Sequence, residues 1–235
     1  MSQPVRAVLF DLDGTLLDTA PDMIGALNAL RVERALEPLA FAVLRGQVSH
    51  GAAGLLRRGF PAASPAEFAT LRTRFLELYS ERLTAHTAPF PGALELLATL
   101  ESRGLAWGIV TNKPQGLTEP LLEALGLAAR AGVVVCGDTL PERKPNPLPL
   151  LHAAAGLARS PCECVYVGDA ERDMLAARAA GMRSLVAGFG YIEPEENPWR
   201  WPADGWLVSP LALLDWLTRA EAADTDAHAA QAAQQ

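Results

Sequence analysis

The chain has 235 residues, of which 50% are hydrophobic and 20% charged, with a net charge of −7. That length and balance suit one large domain, or a core with an insertion, and allow a sizeable buried core. The acidic excess excludes nucleic acid as the expected partner, since phosphate backbones demand clustered Lys and Arg, and no uncharged apolar run of about 18 residues predicts a membrane span.

The stretch Val5 to Phe10 is apolar apart from Arg6 and stops at Asp11-Leu12-Asp13-Gly14-Thr15. A short apolar run bounded by a turn signal reads as a buried strand. Its terminal carboxylates must meet water, a metal or a substrate, because an isolated buried carboxylate is too costly. A strand this close to Met1 leaves no room for a secretory signal. The cysteines, Cys136, Cys162 and Cys164, are odd in number. Together these predict reduced thiols and a cytoplasmic protein.

Asp18-Thr19-Ala20-Pro21-Asp22 reads as a helix start, with Thr19 or Asp18 as the cap. From there to about residue 85 the apolar spacing is helical. Leu44, Val48, Leu55 and Leu56 share one stripe, and Phe68, Leu71, Phe75, Leu78 and Leu83 another. Residues 19–85 are therefore expected to form a helical insertion without strands. After Pro89-Phe90-Pro91-Gly92 the pattern alternates. Strands are predicted near 106–110, 132–136, 164–167 and 184–187, and helices near 93–103, 115–125, 147–157, 172–180 and 210–220. Residues 188–206 read as a loop. The Ala-, Gln- and Asp-rich segment 221–235 reads as a disordered tail.

Alternating strands and helices predict an α/β fold with a mainly parallel sheet. In such sheets functional loops lie beyond the carboxyl ends of the strands. Asp11/Asp13, Thr111/Asn112 and Asp169 stand at those ends, and Lys144 follows in a loop. Clustered aspartates repel one another unless a cation holds them, and hard oxygen ligands with room for water suit Mg²⁺, with Asp11 and Asp169 as candidate ligands. A carboxylate can also act as a nucleophile and form an aspartyl-phosphate, while a second one serves as acid and then base. Phosphoryl transfer needs positioning and charge neutralisation. Thr111 offers a hydroxyl, Asn112 and the adjacent backbone offer N–H donors, and Lys144 offers a point charge.

Asp11-Leu12-Asp13-Gly14-Thr15, Thr111-Asn112-Lys113, Lys144-Pro145 and Gly168-Asp169-Ala170-Glu171-Arg172-Asp173 resemble, in order, the four motifs of the haloacid dehalogenase superfamily. The resemblance implies a Rossmann-like parallel-sheet core with helices on both faces, formed by 1–18 and 86–220, and an α-helical cap at 19–85. It implies a nucleophile at Asp11 and an acid/base at Asp13. Mg²⁺ would be held by Asp11, the Asp13 backbone carbonyl and Asp169, with Asp173 in support. Thr111 and Lys144 would bind phosphate. Ala170 departs from the pattern, since many relatives carry an adjacent aspartate there, which bears only on the support around the metal.

The insertion resembles the cap of the phosphoglycolate phosphatase-like branch, which chooses the substrate. Within Arg45-Gly46-Gln47-Val48-Ser49-His50-Gly51, the candidate substrate contacts are Arg45, Ser49 and His50. The loop 190–198, with the segment 107–114, resembles N-acetylmuramic acid 6-phosphate phosphatases of peptidoglycan recycling. The expected activity is thus a Mg²⁺-dependent phosphomonoesterase acting on that sugar phosphate. The alternatives are phosphoglycolate or another small phosphorylated metabolite, a sugar-phosphate mutase, and a silent binding module. A monomer or homodimer is expected.

Overall fold

The computed structural model describes residues 3–232, with side chains through residue 222. Its centre is β1 (Ala7–Phe10), a strand buried on both faces. β1 pairs in parallel with β4 (Ala106–Val110) on one side and β6 (Cys164–Gly168) on the other. The sheet continues outward through β5 (Val134–Val135) beyond β4, and through β7 (Arg183–Ala187) and β8 (Gly205–Leu207) beyond β6. All six strands run parallel.

Side chains alternate across this sheet with the strand period of two. Ala7 and Leu9 join one buried cluster, with residues of α7 (Leu148–Gly156) and α8 (Glu171–Ala180). Val8 and Phe10 join another, with residues of α5 (Ala93–Ser102) and α9 (Ala212–Ala232). Helices therefore cover both faces, which is why β1 can be apolar throughout. α6 (Gln115–Ala124) follows β4 and buries Leu121 and Leu122.

The sheet edge and the C-terminal segment differ from the sequence reading, and the short strands β2 (Leu17–Asp18) and β3 (Ala88–Pro89) are additional to it. Residues 188–206 hold an edge strand, β8, where a loop is expected. It is only three residues long and half buried, so it shows no usable alternation. The expected disordered tail is helical as far as Ala232, because α9 simply continues. Its Ala-rich sequence has high intrinsic helix propensity. Residues 1–2 and 233–235, which the core and tail assignments include, lie outside the described residues.

Between β1 and α5 the chain forms α1 (Ala20–Glu33), α2 (Phe41–Leu44), α3 (Gly51–Gly59) and α4 (Pro65–Ser80), with a 3₁₀ turn at Gly46–His50. Ser64 and Glu67 make a capping box at the start of α4, with Pro65 in its first turn. The stripe through Leu44, Val48, Leu55 and Leu56 is buried but not one helix. Gly51, at φ +63°, breaks it. The chain leaves the core through β2 (Leu17–Asp18) and returns through β3 (Ala88–Pro89), which pair antiparallel.

Asp22 secures this crossing from inside α1. It is buried, and its carboxylate accepts from the backbone N–H groups of His86 and Thr87, the Thr87 hydroxyl and the His86 ring. Burial pushes its pKa up, but these hydrogen bonds more than offset that and hold it below 3.8. Asp22→Asn should cost about 2–3 kcal/mol, because hydrogen bonds to a buried charge are lost and donors are left unmet. A depressed folded pKa means that this stabilisation is full above the unfolded value and lost as pH falls through the folded one. Urea unfolding of both proteins should therefore show a gap at pH 7 that narrows toward pH 3.

Candidate active site

The register of the three central strands assembles the site. Phe10 lies beside Ile109 and Val167. Asp11, the next residue, donates its N–H to the Val167 carbonyl at 2.8 Å and meets the ends of β4 and β6. The Asp11 carboxylate is buried, accepting from the Leu12 N–H at 2.7 Å and pairing with Lys144 Nζ at 3.0 Å. Burial raises its pKa despite Lys144.

Lys144 is buried too and has four oxygen partners. Besides Asp11 they are Asp173 Oδ1 at 2.8 Å, the Val110 carbonyl at 2.8 Å and the Tyr166 hydroxyl at 2.6 Å. Its backbone is held at both ends of the Asn112 carboxamide: Nδ2 donates to the Lys144 carbonyl and Oδ1 accepts from its N–H. The Asn112 side chain thus positions Lys144. The Thr111 hydroxyl is buried and accepts from the Lys113 N–H at 3.1 Å, tightening the turn after β4.

Asp13 faces a different set of groups. Its Oδ1 accepts from the Thr19 hydroxyl at 2.6 Å and pairs with Lys113 Nζ at 3.0 Å. Thr19 is therefore not a side-chain cap for α1, as its hydroxyl is turned to Asp13. Lys113 also donates to the Tyr79 hydroxyl at 2.7 Å, and its ammonium stands 4.6 Å from the centre of that ring. Burial opposes the Lys113 charge, but Asp13 and Tyr79 outweigh it and raise the pKa.

Asp11, Asp169 and Asp173 bring carboxylate oxygens within 4.8 Å of one another. Asp173 is satisfied, with Oδ1 on Lys144 and Oδ2 accepting from the Ala170 N–H at 3.1 Å. Asp169 is not. Its Oδ2 accepts from the Tyr191 N–H at 2.9 Å, but Oδ1 is buried without a partner. Burial and the charges of Asp11 and Asp173 push its pKa well above the ordinary carboxylate range. A hard cation with oxygen ligands fits this unmet oxygen and this clustered charge. Gly14, at φ +84°, is required beside it, since a Cβ there would collide with Asp169 Oδ2.

The segment from Arg45 to His50 closes over this edge. Arg45 donates to the Gly190 carbonyl at 2.7 Å and the Phe189 carbonyl at 3.1 Å, and its guanidinium lies over the Tyr191 ring. Gln47 donates to Glu193 at 2.7 Å, and His50 meets the same carboxylate at 2.9 Å. Arg45 and His50 thus fasten the helical segment to the loop after β7. Ser49 instead accepts from Arg172 at 3.2 Å, and Arg172 stands 4.0 Å from Asp11 Oδ2.

The sequence pattern of the haloacid dehalogenase-like hydrolases matches residues 8–187. This chain belongs to that family. A phosphoglycolate phosphatase of Xylella fastidiosa is 46% identical to this hydrolase over 208 residues, 88% of this chain and 91% of that one. An N-acetylmuramic acid 6-phosphate phosphatase of Pseudomonas aeruginosa is 43% identical over 218 residues, 92% and 96% of the two chains. A solved structure described as a predicted phosphoglycolate phosphatase of Haemophilus somnus superposes on the hydrolase with a TM-score of 0.81 and 25% identity, covering 92% of this chain and 99% of that one.

Four residues of the hydrolase's site escape a reading by motif. Arg172 lies inside the segment 168–173, which points to its acids. Lys113 follows Thr111-Asn112 but reaches Asp13. Tyr191 sends its N–H to Asp169 and its hydroxyl to Asp18 at 2.7 Å, tying the Asp169 carboxylate to the crossing segment. Glu193 lies in the loop 190–198, and only its partners on the helical segment give it a task. Among the described residues of the hydrolase, no helix is long and apolar enough to cross a membrane.

Proposed function

We propose that this hydrolase is a Mg²⁺-dependent phosphomonoesterase that works through an Asp11-phosphate and acts on N-acetylmuramic acid 6-phosphate. The observation that carries the reaction is the buried Asp11 carboxylate, set between Lys144 and the unmet oxygen of Asp169. Asp11 and Asp169 by their carboxylates, and Asp13 by its backbone carbonyl, would hold Mg²⁺, which neutralises the clustered charge and the phosphate. Asp173 supports from behind, because both of its oxygens already have donors.

The Asp11 oxygen attacks phosphorus while the bond from phosphorus to the leaving oxygen breaks. Asp13 delivers a proton to that oxygen. Asp13 then takes a proton from water, whose oxygen attacks phosphorus and releases Asp11 with inorganic phosphate. Lys113 and Thr19 hold the Asp13 carboxyl in one orientation throughout. Lys144 and the Thr111 turn bind the transferred group. Residues 19–85 act as the cap that selects the substrate and excludes water.

The substrate choice is supported by the Pseudomonas relative and by the likeness of loop 190–198 to phosphatases of that name. Phosphoglycolate is the second reading, favoured by relatives of that name at 46–47% identity. The test is kcat/KM with Mg²⁺ across N-acetylmuramic acid 6-phosphate, phosphoglycolate and simple hexose phosphates. A preference for phosphoglycolate of more than about tenfold, or 1.4 kcal/mol, reverses the choice of substrate. Failure to hydrolyse any phosphomonoester removes the reaction itself.

A further inference from the structure

Among the described residues, Arg172 is the cation that reaches from Asp11 to the helical segment. It occupies the first turn of α8, where a positive charge opposes the helix dipole. Its guanidinium touches Ser49 Oγ at 3.2 Å and stands 4.0 Å from Asp11 Oδ2. Its side chain is 22% exposed, so it is not sealed in the core. Among the described residues, Ser49 is its only hydrogen-bond partner. A guanidinium has five N–H donors in a fixed fork, so most of its capacity is open to a ligand.

The other cations of the site are already engaged. Lys144 is divided among Asp11, Asp173, Val110 and Tyr166. Lys113 is held by Asp13 and Tyr79. A phosphate seated against Asp11 directs its leaving group away from the nucleophile, because attack is in line. Ser49 lies in the 3₁₀ turn of the helical segment that closes over this edge, and with Arg172 it forms a seat of two donor side chains beside the nucleophile.

We propose that Arg172 and Ser49 bind a carboxylate on the leaving group, so that the enzyme selects phosphomonoesters that also carry a carboxylic acid. The planar fork of Arg172 takes the two carboxylate oxygens, and the Ser49 hydroxyl adds a third donor. Phosphoglycolate and N-acetylmuramic acid 6-phosphate both have that second anion. The inference rests on the phosphomonoesterase reading but does not depend on which of the two is the natural substrate.

Matched pairs test it. N-acetylmuramic acid 6-phosphate is compared with N-acetylglucosamine 6-phosphate, which lacks the lactyl carboxylate. Phosphoglycolate is compared with 2-hydroxyethyl phosphate. The readout is the ratio of kcat/KM within each pair. Wild type should favour the carboxylated member of at least one pair by tenfold or more. In Arg172→Gln that ratio should fall at least tenfold, toward one, because one partner of a desolvated charge pair is removed. Arg172→Lys should fall part of the way, since it keeps the charge and loses the fork. Ser49→Ala, on the helical segment's side of the seat, should lower the same ratio by a smaller factor. An unchanged ratio in Arg172→Gln and Ser49→Ala, with both members of the pair slowed equally, would place Arg172 on the phosphoryl group and overturn the proposal. Wild-type enzyme that cleaves no member of either pair and no hexose phosphate overturns the phosphomonoesterase reading instead, whereas hydrolysis of hexose phosphates alone overturns the carboxylate seat.

Discussion

Asp11→Asn is expected to lower kcat by at least about 10⁴-fold, the scale seen when a covalent nucleophile is removed, while the protein stays folded. The amide has the shape of the carboxylate and can still accept from the Leu12 N–H. It cannot form a bond to phosphorus. It also removes one negative charge from a cluster in which Asp169 is held well above its ordinary pKa by burial and by Asp11 and Asp173. Lys144 keeps Asp173, Val110 and Tyr166 as partners. Thermal unfolding without divalent cation should therefore show a Tm no lower than wild type. A variant that kept a tenth of the wild-type kcat would exclude Asp11 as the nucleophile, whatever its Tm.

Lys144→Met should damage stability and turnover together. Among the described residues, Lys144 is the only cation within ion-pair distance of Asp173, and it is the closer of the two cations beside Asp11. Removing one partner of a buried pair leaves an uncompensated charge, at a cost of about 3–5 kcal/mol. Burial already raises the pKa of Asp11, and without Lys144 that burial acts unopposed by its main attractive charge. A carboxyl whose folded pKa is raised supports the fold at low pH and loses that support as pH rises through the folded value. The urea midpoint of the variant should thus fall furthest behind wild type at pH 8 and approach it toward pH 5. Mg²⁺ should recover part of the loss and EDTA none. Equal midpoints at pH 8 would contradict the pairing described here.

The strand-ending aspartates were legible because charge at the end of an apolar run has few explanations. Thr111 and Asp169 stand out in the sequence as polar residues at the carboxyl edge of a parallel sheet, whereas Lys144, in the loop between β5 and α7, stands out only through the set of four motifs. Partners were not. Nothing local says that Asn112 holds the Lys144 backbone or that Thr19 turns to Asp13, since 32 residues separate the first pair and a helix cap is the commoner use of a threonine in that place. The sequence marks Arg45 as a candidate substrate contact and cannot show that its guanidinium is engaged by the Phe189 and Gly190 carbonyls. That geometry depends on how the helical segment docks, which no periodicity encodes. β8 was missed because three half-buried residues at a sheet edge carry no pattern.

The ribbon of β2 and β3 has a consequence for heredity. The chain departs at Leu17–Asp18 and resumes at Ala88–Pro89, with Leu17 opposite Pro89. The intervening stretch therefore begins and ends at one spot on the molecule. Its helices can be lengthened, replaced or exchanged between genes without rerouting any strand of the sheet. Mutation can remodel the helical insertion while the sheet that carries Asp11 is conserved, so one sheet edge can be passed on beneath many different insertions.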